Sequence, residues 1–231
     1  MSAIAPALLQ ETISQQLEAF RANIPAEIQA VMAEKTAELQ AQHLVEKAHK
    51  VGDRLPDFEL PDATGKTVKI SELLTSGPVV ISFYRGGWCP YCNLELRALQ
   101  QALPEFQKYN AQLIAISPET PDNSLSTQEK NELEFAVLSD VDNIVAKKLG
   151  LVFELSEALR PIYKNFGIDV AAHNGNEKYE LPMPATYVVD TDGIIRYAFV
   201  SEDYIERAEP SDILAAIANS RLNSFHPNKH K

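Results

Sequence analysis

The chain has 231 residues, 45% of them apolar and 23% charged, with a net charge of −11. That length suits one packed domain plus an extension, and the acidic balance argues against nucleic acid or an anionic membrane as partner, because neutralising phosphates takes clustered Lys and Arg. No run approaches the ~20 apolar residues of a membrane span, and the first residues carry neither a basic leader nor a continuous apolar stretch, so a reducing cytosol is the expected compartment.

Residues 1–50 form a helical N-terminal extension. Leu9, Ile13, Leu17, Phe20 and Ile24 recur at spacings of four and three, an apolar stripe on one helix that Pro25 interrupts. A second segment from about Ala26 to Lys50 carries Ile28, Val31, Met32, Leu39 and Leu44. Stripes this short need a partner surface. They either pack on their own domain or build a homodimer through the N-terminal helices.

The domain proper spans residues 51–222. Val51–Leu60 reads as a loop leading into a short strand, a turn follows over 62–66, and then a strand at Thr67–Ile70, with Ser71 expected to cap a brief helix. Pro78–Tyr84 is nearly all apolar, as in a central strand buried on both faces. Gly86-Gly87 breaks it, and Leu94, Leu96, Leu99 and Leu103 then mark a helix. Ala111–Ser117 is another buried strand. Residues 121–133 read as polar loop and helix. Ala136–Asp140 is a short strand ending in a helix cap, with the helix over Asn143–Leu149. Residues 150–180 read as an insertion without regular packing. Thr186–Asp190 and Ile194–Val200 flank Thr191-Asp192-Gly193 as a β-hairpin. A last amphipathic helix follows Pro210, and residues 223–231 form a flexible tail. The order predicts an α/β sandwich, a central mixed β-sheet flanked by helices.

The chemistry concentrates at Trp88-Cys89-Pro90-Tyr91-Cys92, which holds both cysteines of the chain. A disulfide across two intervening residues closes too small a loop to stabilise a fold much. The open readings are a redox dithiol, half a zinc site, or two incidental thiols. Zinc needs about four ligands, and there is no second Cys pair, so the spacing favours redox chemistry. No metal and no cofactor are expected. Cys89 stands where a strand ends and a helix begins, and the positive helix end stabilises a thiolate. Cys89 therefore attacks and Cys92, one turn further in and more buried, resolves. Pro90 fits the first helical turn. Trp88 shields the pair or packs in the core. Arg85, four residues earlier, adds positive charge or faces solvent.

Several segments together resemble the peroxiredoxin-like AhpC/TSA group of the thioredoxin superfamily, over roughly 51–218: Val51–Leu60, Val79–Tyr84 with Cys89-Pro90, Ile114–Pro118, Phe135–Asp142 and Thr186–Arg196. The resemblance implies a thioredoxin-like fold and a thiol peroxidase that turns hydroperoxides over through a sulfenic acid and a disulfide, re-reduced by thioredoxin or glutathione. Three positions depart from the pattern. Gly86 stands where the family has Thr, Pro184 stands near its usual Arg, and Cys92 is an added thiol. The last two look like thioredoxin, which implies a cis bond before Pro184 and leaves Arg85 as a substitute for the missing Arg. The alternatives are a thioredoxin-type protein disulfide oxidoreductase with little peroxidase activity, and a redox-sensing interaction protein whose helical arm responds to the cysteines.

Overall fold

The computed structural model describes residues 8–224, with side chains to Ser220. Two helices open the chain, α1 (Leu9–Arg21) and α2 (Ala26–Gln40), separated at Pro25 as the sequence predicts. A hairpin of β1 (Glu59–Pro61) and β2 (Thr67–Lys69) runs straight into α3 (Ile70–Ser76). The helix begins at Ile70, whose amide is held by the Phe58 carbonyl at 3.1 Å, so Ser71 lies inside the first turn and does not cap it.

The centre is β3 (Val79–Phe83), followed by α4 (Pro90–Gln107), β4 (Gln112–Ser117), α5 (Pro121–Lys130) and β5 (Ala136–Ser139). Next come α6 (Ile144–Lys148), β6 (Val152–Glu154), α7 (Arg160–Asn165), α8 (Val170–Asn174) and β7 (Glu180–Pro182). The hairpin strands β8 (Ala185–Val189) and β9 (Ile195–Val200) precede the closing helix α9 (Pro210–Ser224). That helix runs two residues past the expected start of the tail, and the rest of the tail lies outside the described residues. The five-stranded sheet has the order β5-β4-β3-β8-β9. β3, β4 and β5 are parallel, and β8 and β9 run antiparallel to their neighbours. This is the expected mixed sheet, and the thioredoxin-like sandwich follows from helices on both of its faces.

Side chains alternate across β3 because successive Cβ atoms point to opposite faces. Val80 and Tyr84 enter a core with Leu96, Leu99 and Phe106 of α4 and Ile213 and Ile217 of α9. Val79, Ile81 and Phe83 enter the opposite core with Ile70 and Leu149. Asp140 caps α6 as expected, its carboxylate accepting from the amides of Val145 and Ala146 at 2.9–3.0 Å.

Two segments differ from the sequence-based picture. Residues 150–180 are ordered: β6 pairs with β7, and a small core of Leu155, Tyr163, Val170 and Leu181 holds α7 and α8. These elements are only three to six residues long, too short for a periodicity to show. The bond before Pro184 is trans, as are all described peptide bonds. Pro184 stands immediately ahead of β8, where its missing N–H removes no ladder bond, and its carbonyl accepts from the Ser201 amide at 3.2 Å.

The N-terminal extension packs on its own domain through α1. Leu9, Ile13 and Leu17 sit in the α4/α9 core, and Phe20 meets Phe166 edge-on at 5.5 Å. Leu8, at the start of α1, offers no capping side chain. Instead, the Glu209 carboxylate accepts from the amides of Leu9 and Gln10 at 3.0 and 2.8 Å. None of α2 is fully buried. Ile13 is wholly buried, so Ile13→Ala is expected to cost about 2–5 kcal/mol in chemical denaturation.

Candidate active site

The loop between β3 and α4 brings Cys89 to the mouth of a helix. Cys89 is the residue capping α4. Its sulfur accepts from the Cys92 amide at 3.4 Å, and Pro90 opens the first turn, as its fixed φ and absent N–H allow. Three contacts hold the loop. The Gly87 amide donates to Glu119 Oε2 at 2.9 Å, the Asn93 side-chain amide donates to the Gly87 carbonyl at 2.8 Å, and the Cys89 amide donates to the Gly86 carbonyl at 3.0 Å. A side chain at Gly86 would collide with the indole of Trp88, and one at Gly87 with Thr127. The Trp88 ring thus takes the room that the resemblance would give to a threonine at position 86.

Both sulfurs are fully buried. Cys92 was expected to be the more buried of the two. Cys89 is equally enclosed, with the Arg85 guanidinium against its sulfur and Tyr163 and Tyr204 packed on Arg85. Arg85 does not face solvent: it is 4% exposed. Its Nη2 donates to Cys89 Sγ at 3.2 Å and its Nη1 to the Tyr163 hydroxyl at 3.0 Å. Its guanidinium lies 5.1 Å from the Trp88 ring centre and 4.7 Å from that of Tyr204, a placement that favours the cation over the ring faces.

A second arginine reaches the pair from behind. Arg207, on the segment between β9 and α9, donates from Nη2 to Cys92 Sγ at 3.3 Å and from Nε to Glu95 Oε2 at 2.6 Å. Glu95 projects from α4 and also accepts weak hydrogen bonds from Ser82 of β3 and Thr186 of β8, at 3.3 and 3.4 Å. Glu95 stands one turn beyond Cys92, beside the buried stripe of Leu96, Leu99 and Leu103. A carboxylate on that face was the one sequence signal for this network. Nothing in the spacing pointed to Arg207, Tyr163 or Tyr204.

Burial alone would push the Cys89 thiol up. The Cys92 thiol, Arg85 and Arg207 outweigh it and hold Cys89 well below the usual thiol range. Burial and the neighbouring Cys89 charge push Cys92 well above that range. The two thiols are thus pushed in opposite directions, Cys89 toward the thiolate and Cys92 toward the thiol. Burial also lifts the Glu95 carboxyl, against the pull of Arg207 and the two hydroxyls.

A cleft of about 80 Å³ reaches Arg85 but neither sulfur; Arg85, Tyr163, Pro184 and Tyr204 line it, and Met32 and Leu39 of α2 wall it. Trp88 packs edge-on against Tyr163, with ring centres 5.7 Å apart. Trp88 and Pro90 flank Cys89 in sequence and Arg85 touches its sulfur through a polar atom, whereas Pro184 shares only the cleft with Arg85. Among the described residues, no three His, Cys, Asp or Glu side chains are grouped as metal ligands would be, and no helix is long and apolar enough to cross a membrane.

The model of the AhpC/TSA family matches residues 51–198. The chain belongs to the AhpC/TSA family. It is 34% identical over 121 residues to "Putative peroxiredoxin MT1643" of Mycobacterium tuberculosis, covering 52% of this chain and 79% of that one. It is 29% identical over 148 residues to the chloroplastic peroxiredoxin Q of rice, covering 64% and 58%. Among solved structures, peroxidoxin BcpB of M. tuberculosis aligns with a TM-score of 0.59 at 27% identity, over 74% of this chain and 97% of that one. AhpC of Enterococcus faecalis aligns with a TM-score of 0.61 over 79% and 99%; at 16% identity it supports the fold alone. The family resemblance stands, and with it the enzyme class, a peroxiredoxin-like thiol enzyme. The matched span stops short of Arg207 and excludes α1 and α2.

The split thiols set a pH profile for the reduced protein. Below the ordinary thiol pKa of about 8.5, the unfolded chain keeps the proton that folded Cys89 has lost, so Cys89 makes stability rise with pH from its own depressed pKa upward. Above about 8.5, the unfolded chain loses the proton that folded Cys92 keeps, so stability falls. The difference in stability between wild type and a Cys89→Ser/Cys92→Ser variant, followed by denaturant titration across pH, is expected to peak near the ordinary thiol pKa. A flat difference would contradict the assignment.

Proposed function

We propose that this protein reduces hydroperoxides through the Cys89 thiolate, with Cys92 as resolving thiol. The observation that carries the reading is the fully buried Cys89 sulfur, held as a thiolate by Arg85 at 3.2 Å at the N-terminus of α4, in a chain of the AhpC/TSA family. In the first step the sulfur attacks one peroxide oxygen. The S–O bond forms as the O–O bond breaks, and the leaving oxygen takes a proton as water or alcohol. In the second step Cys92 attacks the sulfenic acid, the S–S bond forms, and water leaves. One dithiol donor of the thioredoxin type, or two glutathione molecules, restores both thiols by exchange and is itself oxidised to a disulfide.

Arg85 fills the electrostatic part of the family's missing arginine. Its Nε and the Trp88 indole Nε1 are buried without a protein partner, so each keeps a donor for a small polar guest. That enclosure is the reason to prefer a peroxide over a protein disulfide as the oxidising substrate, since a sulfur with no exposed surface admits a small molecule more readily than a polypeptide. The Cys-x-x-Cys spacing favours the disulfide oxidoreductase as second reading. Reduction by a protein donor then requires the first turn of α4 to open locally. A homodimer and a cytosolic setting belong to the same proposal. The dimer is supported by α2, which has no fully buried side chain on its own domain.

Trp88 is the single tryptophan of the chain and lies beside Cys89, so its fluorescence follows oxidation. A hydrogen peroxide pulse is expected to give a concentration-dependent change far faster than free cysteine reacts. Cys92→Ser is expected to trap the sulfenic acid, visible as a one-oxygen mass gain, and Cys89→Ser to abolish the response. A rate equal to that of free cysteine, together with reduction of insulin disulfides, would transfer the assignment to the disulfide oxidoreductase. Arg85→Met is expected to raise the Cys89 pKa by about 1–3 units, read from the ultraviolet absorbance of the thiolate against pH.

A further inference from the structure

We propose that Arg207 is a catalytic residue of the resolving step: its guanidinium stabilises the Cys92 thiolate as Cys92 attacks oxidised Cys89. The inference rests on the resolving role given to Cys92 above.

Arg207 is held in one pose. Its Nε meets Glu95 Oε2 at 2.6 Å, its Nη1 donates to the carbonyls of Tyr204 and Glu206 at 2.8 and 2.7 Å, and its Nη2 is left to face Cys92 Sγ at 3.3 Å. The residue is 5% exposed. A buried ion pair adds little net stability over apolar packing of the same volume, so the Glu95 pairing alone gives no reason for a cation to stand against this sulfur. The sequence separation of 115 residues between Arg207 and Cys92 also means that the last loop of the domain is folded back to deliver that one nitrogen.

The charges around Cys92 change during the reaction. It is faced by Cys89 and Arg85 from the preceding loop, Tyr84 after β3, and Arg207 from the final loop, with Glu95 paired to Arg207 behind it. At rest, burial and the Cys89 thiolate keep Cys92 protonated. Peroxide removes that negative charge, because the sulfenic acid is neutral. Arg207 and Arg85 remain; burial still opposes ionisation of Cys92, but the neighbouring negative charge that added to it is gone. The Cys92 sulfur then attacks the Cys89 sulfur. The S–S bond forms, the S–O bond breaks, and the departing hydroxide leaves as water with the proton that Cys92 gave up. Each sulfur thus has its own arginine, and oxidation of the first hands the negative charge to the second.

The test uses the full chain and Trp88 fluorescence in stopped flow. The wild type is expected to show a phase that accelerates with hydrogen peroxide and a second phase independent of it. The variant Arg207→Met/Glu95→Gln removes both buried charges together, so neither is left unpaired. Losing a cation at this distance raises a thiol pKa by about two units. The thiolate fraction then falls about a hundredfold while its nucleophilicity rises roughly eightfold, so the second phase slows about tenfold near neutral pH. It recovers as pH is raised, which a packing defect would not produce. Arg207→Lys keeps the charge without the fork; its second phase is expected between the two, and it carries the test if the double variant does not fold. A second phase unchanged at every pH, or both phases slowed by one common factor, overturns the proposal. Cys92→Ser separates the two levels. If it abolishes the second phase while the Arg207 variants leave that phase intact, only the role of Arg207 falls. If it leaves the second phase in place, the resolving role falls too, and the proposal with it.

Discussion

Burying a thiolate is the constraint around which this molecule is organised. A negative sulfur removed from water is costly unless cations and donors replace the solvent. Every element near the site supplies one of these. The N-terminus of α4 gives backbone amides, the loop after β3 gives Arg85, α7 gives the hydroxyl that steadies Arg85, and the segment before α9 gives Arg207. Arg207 brings its own requirement, a buried anion, and α4 meets it with Glu95. Ser82 and Thr186 in turn occupy sheet positions facing α4 that would otherwise suit apolar side chains. One charge at Cys89 thus explains polar residues in the middle of two core strands.

The loop that carries the thiol is equally bound by space. Gly86 and Gly87 leave room for Trp88 and for Thr127, and the Glu119 carboxylate grips the Gly87 amide while pairing with His173 at 2.9 Å. His173 comes from α8, in the part of the chain whose sequence shows no periodic pattern. The residues 150–180 are therefore part of the site's frame: one end supports the loop through His173, the other supports Arg85 through Tyr163. Substituting a side chain into this loop without removing another would force the helix start away from the position that lowers the Cys89 pKa.

What was legible in the sequence follows from the range of each signal. The central strands, the Cys-bearing helix and the β8–β9 hairpin are set by local hydrophobic runs and turn residues, and they were read correctly. The pair itself stood out because both cysteines fall in one helical turn. Arg85 is legible from its nearness in sequence to Cys89. Arg207 and Tyr163 are not, because they reach the site only through tertiary contact, and a single Arg or Tyr in a loop has no period. The sequence around Pro184 does not decide its bond, because a proline before a strand fits either geometry locally, and here the strand start accommodates the trans form. The short 150–180 elements failed for the opposite reason: they are too brief for any pattern to accumulate.

The clasp of Glu209 on the first turn of α1 links residues 200 apart in the chain. A helix normally finds its cap in its own neighbouring residues, available as soon as it is made. Here α1 waits for a segment about 200 residues later in the chain before its orphan amides are met, and its apolar stripe waits for α9 as well. Contacts of such long sequence separation form late, since loop closure precedes any gain from them. During synthesis, α1 thus remains an unanchored amphipathic segment until Glu209 and α9 have been made, a stage at which chaperones have an exposed apolar face to hold.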